Sequence, residues 1–298
     1  MSPAAFQNTS WSRLTIVQKL IVVNVAVFAL INIVNAIFGL FLSSLDQHVN
    51  VTSWLAVPAS LGKLVTRPWT LFTYMFLHEG FMHILFNMLV LYWMGVIFLE
   101  YLGPKKLFST YVLGGVAGAL LYILSFNIFP LFQPVLYESF ALGASAAVLA
   151  IMVGIATLLP DYSIRLLLIG NIPLKYIAGV MLLLDLFRIS GDNAGGHIAH
   201  LGGAMFGFFY IRQLHKGKDL AAGFNKVMDR LQVWFGSNNT SFRRSSRKAR
   251  AVSDEDYVED KKSRQEQIDR ILDKISKSGY GSLTQKEKDI LFQSSKDE

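Results

Sequence analysis

The sequence predicts an all-α membrane protein, a bundle of six transmembrane helices with a helical or disordered polar tail on the cytoplasmic side, and three observations carry that expectation. Of 298 residues, 52% are hydrophobic and only 16% charged, with a mean hydropathy of +0.40; a soluble domain carries about 25% charged residues. The charge is segregated, with 19 basic and 14 acidic residues from Arg212 onward against 9 and 7 in everything before it. Apolar stretches of about 20 residues, enough to cross a bilayer, recur near 17–42, 81–101, 107–129, 141–160, 168–187 and 196–213. The chain therefore divides into a segment 1–15, a membrane domain 16–213 and a tail 214–298. The absence of Cys excludes a disulfide framework, a thiolate zinc site and a cysteine nucleophile. The net charge of +7 sits beside the apolar block, where a membrane-facing surface accounts for it, so no nucleic-acid partner is expected.

The first stretch follows a polar N-terminus, exceeds a signal-peptide core in length and lacks a small-x-small cleavage site, so it is expected to stay as a span. Arg13 and Lys19 precede it, Lys105 and Lys106 separate spans two and three, and Arg165 and Lys175 separate four and five. The opposite loops hold Lys63, Arg67 and Arg188. With the basic tail, this balance places both termini in the cytoplasm. The loop 43–79 then lies outside and carries Trp54-Leu55-Ala56-Val57, an interfacial rather than spanning piece. The tail contains an amphipathic piece from Phe224 to Phe235. Its linker carries Arg243, Arg244, Arg247, Lys248 and Arg250, read either as a contact for anionic lipid headgroups or as a solvated run. Thr284 with Glu287 reads as a capping box opening a last helix over 285–293. No internal repeat is evident. Without an Arg-rich and Ser-rich leader, the composition points to a bacterial cytoplasmic membrane.

Polar groups inside spans are costly and mark function by default. They are His83 and Asn87 in span two, Ser145 in span four, and His197 and His200 in span six. Each lies near the N-terminal end of its helix, and these three helices all enter from the extracytoplasmic side, so the groups share a depth, with Ser145 about 6 Å below its helix start. A hydroxyl, imidazoles and a carboxamide at one depth are the inventory of a serine hydrolase. His83 and Asn87, at i and i+4, share a face and can donate to an oxyanion, although Asn in such helices also bonds neighbouring helices. Gly203 and Gly207 follow His200 at three and seven residues, a spacing that lets span six approach span four.

His78 and His83 fail the H-E-x-x-H zinc spacing by one residue, which turns them about 140° apart on a helix. His197 and His200 lack an obvious carboxylate at their depth except Asp185 or Asp192, so no metal is expected. Asp185 either orients an imidazole or pairs with Arg188 at i+3, and the local pairing is the simpler reading. No motif calls for a cofactor.

At this point the sequence resembles a known family, the rhomboid intramembrane serine proteases. His83-Ile84-Leu85-Phe86-Asn87 is similar to the family's H-x-x-x-N, Gly143-Ala144-Ser145-Ala146 to its G-x-S, and Ala199-His200-Leu201-Gly202-Gly203 to its A-H-x-x-G. Arg67-Pro68-Trp69-Thr70 resembles its loop-one segment. The four occur in the family's order across about residues 15–212. The resemblance implies Ser145 as nucleophile and His200 as general base, a dyad without a third acid. His83, Asn87 and the backbone N–H groups of Ser145 and Ala144 would hold the oxyanion. The implied partners are transmembrane-protein substrates, cleaved near their extracytoplasmic ends, and the bilayer itself. Ala146 stands where a Gly often follows the nucleophile, Leu149 where many members carry Tyr, and Thr70 where some carry Arg. The alternative is a catalytically silent relative that holds membrane clients for quality control.

Overall fold

A computed structural model describes residues 10–41, 51–166, 170–235, 267–271, 273–284, 287–288 and 290. The basic linker lies outside these residues, as does most of the expected last helix. The chain forms two units, 1–234 and 235–298.

The first unit opens with α1 (Ser10–Arg13) and α2 (Ile16–Phe41). Thr15 and Gln18 form a reciprocal capping box at the start of α2: the Thr15 N–H donates to the Gln18 side chain at 2.9 Å and the Gln18 N–H to the Thr15 hydroxyl at 3.2 Å. A folded loop follows, comprising α3 (Val51–Leu55), β1 (Val57–Pro58), α4 (Leu61–Thr66), α5 (Thr70–Thr73) and a 3-10 turn, Tyr74–Phe76. Arg67 holds it together, donating to the Ser53 carbonyl at 3.1 Å with its guanidinium 4.0 Å over the Trp54 ring. Trp69 donates to the Trp54 carbonyl at 3.0 Å.

The next helix, α6, runs from Phe81 to Ile128, 48 residues. A straight helix of that length would be about 72 Å, more than twice the hydrocarbon core of a bilayer. It is broken at Gly103, whose φ of 78° is glycine's territory, followed by Pro104 with no N–H to give. The break falls just before Lys105 and Lys106, between the expected spans two and three. After a 3-10 segment (Pro130–Val135) and β2 (Phe140–Ala141) comes α7 (Ser145–Leu158). Next are the hairpin β3 (Ser163–Leu166) and β4 (Gly170–Pro173), then α8 (Leu174–Phe187), α9 (Ala194–Leu214) and α10 (Ala222–Phe235). The described residues are thus mostly helical rather than all-α, with two small antiparallel pairs among them, β1–β2 and β3–β4.

Two expected boundaries are corrected. The fourth helix starts at Ser145, not 141, because Phe140 and Ala141 pair with Pro58 and Val57. The fifth starts at Leu174, because Gly170 to Pro173, with the Asn171-Ile172-Pro173 piece, pair as a strand with Ser163 to Leu166. Among the described residues, two helices are long and apolar enough to cross a membrane, Ile16–Leu40 and the broken Phe81–Ile128.

The core is formed where α6, α7 and α9 pack together. A Cβ placed on Gly203 or Gly207 of α9 would collide with the backbone of Ala146 or Ala150 of α7, the close approach that the glycine spacing predicts. In the second unit the capping box forms as expected: the Thr284 N–H donates to Glu287 Oε2 at 2.6 Å and the Glu287 N–H to the Thr284 hydroxyl at 3.4 Å.

Candidate active site

Ser145 is the first residue of α7, and three features place it. The β1–β2 pair ties the strand leading into it to the loop that precedes α6. The Gly143 N–H donates to the Tyr74 carbonyl at 3.0 Å. Gly143 itself turns the chain with φ 134°, and a Cβ there would lie 3.0 Å from His83 Nε2 and 3.4 Å from Ser145 Oγ. Glycine is therefore required twice over, by conformation and by the imidazole of His83 that occupies the space. Ala144, before the helix, supplies no side-chain cap, so the first N–H groups of α7 keep the partial positive charge of a helix N-terminus beside the hydroxyl.

His200, on the second turn of α9, brings Nε2 to 2.6 Å from Ser145 Oγ. Its other ring nitrogen, Nδ1, is 2.8 Å from Asp185 Oδ1, and His197 Nδ1 is also 2.8 Å from that same oxygen. Asp185 is only 5% exposed, and its second oxygen is buried with no partner among the described residues. The expected Asp185–Arg188 pairing is overturned: a carboxylate this deep gains far more from two imidazole N–H groups than from a helix-end guanidinium at the surface.

Of the residues expected at the site, Ser145, Ala144, His200 and His83 converge. Asn87 is buried on the same helix as His83, but its amide donates to the His83 carbonyl at 2.9 Å, an i to i−4 bond within α6. The expected depth of Ser145 also changes form. It is the first residue of α7, a helix of 14 residues and about 21 Å, rather than a residue one turn inside its helix. Ala146 fits because residue 118 of α6 is Gly: a Cβ there would lie 2.6 Å from that of Ala146. Asp185, His197 and His200 place their ligand atoms within 4.8 Å of one another, the composition of a metal site. As donors to a carboxylate both Nδ1 atoms carry protons, which a metal would have to displace, so the geometry is that of hydrogen bonding.

The sequence reading weighed Asp185 against an imidazole and preferred the local pairing; the structure brings its carboxylate to both His197 and His200.

A model of the rhomboid domain matches residues 65–217, and one of a family of unknown function (DUF6576) matches 253–297. The chain is 27% identical over 233 residues to RHOMBOID-like protein 12, mitochondrial, of Arabidopsis thaliana, covering 72% of this chain and 65% of that protein. It is also 27% identical over 146 residues to Presenilin-associated rhomboid-like protein A, mitochondrial, of Danio rerio, covering 47% and 36%. The aligned regions span less than two thirds of either relative. Both relatives are named as mitochondrial, so the expected bacterial cytoplasmic membrane finds no support among them. The rhomboid-domain match takes in just over half of the chain and ends on the helix that carries His200 and the turn after it, and the chain accordingly belongs to the membrane-embedded rhomboid family.

Proposed function

We propose that the chain is an intramembrane serine endopeptidase that cleaves transmembrane segments of other membrane proteins near their extracytoplasmic ends. Six crossings are proposed, by α2, the two arms of α6, α7, α8 and α9, with both termini on one face of the bilayer. The observation that carries the reading is the 2.6 Å contact of Ser145 Oγ with His200 Nε2 at the start of a buried helix.

In this mechanism the substrate helix unwinds locally, since an intact helix hides its carbonyls in i to i−4 bonds. Ser145 Oγ attacks the exposed carbonyl carbon while His200 Nε2 takes the hydroxyl proton. The oxyanion is held by the N–H groups of Ser145 and Ala144 and by the His83 imidazole beside Gly143. Asn87 joins them only when its amide leaves the His83 carbonyl. Collapse of the intermediate breaks the C–N bond, and His200 returns the proton to the departing amine. Water then attacks the acyl-serine, again giving a proton to His200. Loss of one oxyanion donor is expected to reduce kcat by about 10² to 10³, roughly 3 kcal/mol in the transition state.

Labelling with a fluorophosphonate probe tests the reading. Wild type and His197→Ala are expected to label, and Ser145→Ala and His200→Ala to lose labelling. Cleavage of a membrane substrate that persists in Ser145→Ala overturns it. Absence of labelling in folded wild type points instead to a client-binding protein.

A further inference from the structure

We propose that Asp185 is the positioning residue of the Ser145–His200 pair, selecting the histidine tautomer that can accept a proton, and that His197 holds the carboxylate in place by sharing its oxygen. The inference rests on the serine-hydrolase reading and extends its dyad to a triad of Ser145, His200 and Asp185.

The placement of Asp185 is the first argument. Among the residues of α8 only Leu174, Ala178 and Asp185 are buried, while Val180, Met181, Leu183, Leu184, Leu186 and Phe187 are exposed. A helix that faces outward along most of its length turns one carboxylate inward, against α9. Burying that group without partners is expensive enough that it persists only where it is used or fully bonded.

Chemistry supplies the second. A carboxylate only accepts hydrogen bonds, so Nδ1 of His200 at 2.8 Å must be the donor and carry the ring proton. The neutral ring then has a bare Nε2, which faces Ser145 Oγ at 2.6 Å and accepts from the hydroxyl. The opposite tautomer would present Nε2–H to the hydroxyl and could not take its proton. When the serine proton moves to Nε2, the ring becomes an imidazolium with both protons in place, and Asp185 stays ionised beside it. No proton crosses from Nδ1 to Asp185, so the later steps find the ring in the same orientation.

His197 supplies the third. Its Nδ1 reaches the same Oδ1, and its ring stands edgewise to that of His200, with centroids 5.8 Å apart and planes at 86°. Two donors on Oδ1 and, among the described residues, none on the buried Oδ2 fix which oxygen faces His200. Without His197 the carboxylate is free to turn.

The test compares fluorophosphonate labelling rates and substrate kinetics of Asp185→Asn, Asp185→Glu and His197→Ala with wild type in proteoliposomes. Asn keeps the size and hydrogen bonding of Asp, so a purely structural role survives the change. Its amide can donate to Nδ1, however, and so favours the wrong tautomer. The expected result for Asp185→Asn is a fall of about 10² to 10⁴ in labelling rate and kcat, with KM and thermal unfolding unchanged. Partial recovery is expected in Asp185→Glu, and a loss of about tenfold or less in His197→Ala. A second measurement covers the case in which Asp185→Asn does not fold: ¹⁵N NMR of histidine-labelled wild type, assigned by subtraction of His200→Ala, is expected to show His200 protonated at Nδ1. Wild-type labelling rates in folded Asp185→Asn, or a His200 protonated at Nε2 in wild type, overturn the inference. Wild type that does not label at all overturns the serine-hydrolase reading instead.

Discussion

Helices α7 and α8 are each 14 residues long, are almost wholly apolar and lie in the same domain, yet they meet opposite surroundings. Every residue of α7 from Ala146 to Ala156 is buried, and Leu158 with them; α8 buries three positions and turns its large side chains outward. What separates them is side-chain size. α7 carries Ala146, Ala147, Ala150, Gly154 and Ala156, so α9 approaches until Gly203 and Gly207 lie against its backbone. α8 carries Met181, Leu182, Leu183, Leu184 and Phe187, a surface that suits lipid tails. In a bilayer, where apolar side chains gain little by leaving lipid, close van der Waals packing decides which helix goes to the centre. Ser145 starts the packed helix, and the Asp185 carboxylate sits at the inward edge of the lipid-suited one.

If packing rather than hydropathy distinguishes the two, the largest effect comes from closing the α7–α9 gap. Gly203→Val is expected to destabilise by about 3 kcal/mol or more, or to prevent folding, because the obstructing atoms are the Ala146 backbone and cannot move aside. Detergent-resistant yield and thermal unfolding measure it. A paired truncation sharpens the contrast. Ile155→Ala on α7, where the side chain is fully buried, should cost about 2 to 5 kcal/mol, and Leu184→Ala on α8, 52% exposed, under about 0.5 kcal/mol. Equal losses at the two positions would break the comparison.

The same contrast explains what the sequence made legible. Helix positions and the convergence of Ser145, His200 and His83 followed from apolar length and from polar residues at one depth, both local signals. The start of α7 did not, because Phe140 and Ala141 are apolar enough for a helix, and what extends them is pairing with Val57 and Pro58, about 80 residues earlier. The hairpin before α8 was hidden similarly, its second strand, Gly170 to Pro173 with the apolar Ile172, reading as the start of the fifth span. Asp185 was assigned to Arg188 because i+3 is visible in a sequence; contacts to His197 and His200, 12 and 15 residues on, require the fold. Asn87 shows the reverse, a group at the right depth whose amide turns back to its own helix.

Tight packing has an electrostatic counterpart just outside the spans. His78, between the Tyr74–Phe76 turn and α6, is buried, with no hydrogen-bond partner for its ring nitrogens among the described residues. Burial, and secondarily the neighbouring His83 imidazole, push its pKa down from the ordinary 6.5 to about 4. Between those values the unfolded chain binds a proton that the folded chain refuses. Stability is therefore full above about pH 6.5 and falls as pH drops toward 4, by up to about 1.4 kcal/mol per pH unit. Unfolding midpoints measured across that window should flatten in His78→Phe; an unchanged slope would mean that the site admits water as freely as a surface does.

The smallest effects belong to contacts made in water, the opposite limit from α7. Glu287 accepts from Lys274 Nζ at 2.9 Å and 3.0 Å and from the Thr284 N–H and hydroxyl, and these partners, Lys274 first, hold its carboxyl at about 2 against the ordinary 4.5. A depressed carboxylate contributes stability that is present above about 4.5 and lost as pH falls through about 2. Lys274 and Glu287 are partly exposed, so solvent screens the pair, and Glu287→Gln should shift stability only slightly. Thr284→Ala removes the helix cap itself and should cost about 1 kcal/mol. Far-UV circular dichroism of the full chain against temperature, with the Glu287 carboxyl ¹³C shift followed against pH, separates the two. The cap depends on hydrogen-bond geometry that Gln partly keeps, while the pair depends on charge and weakens in salt. If Glu287→Gln proves the costlier change, charge outweighs capping even at an exposed helix end.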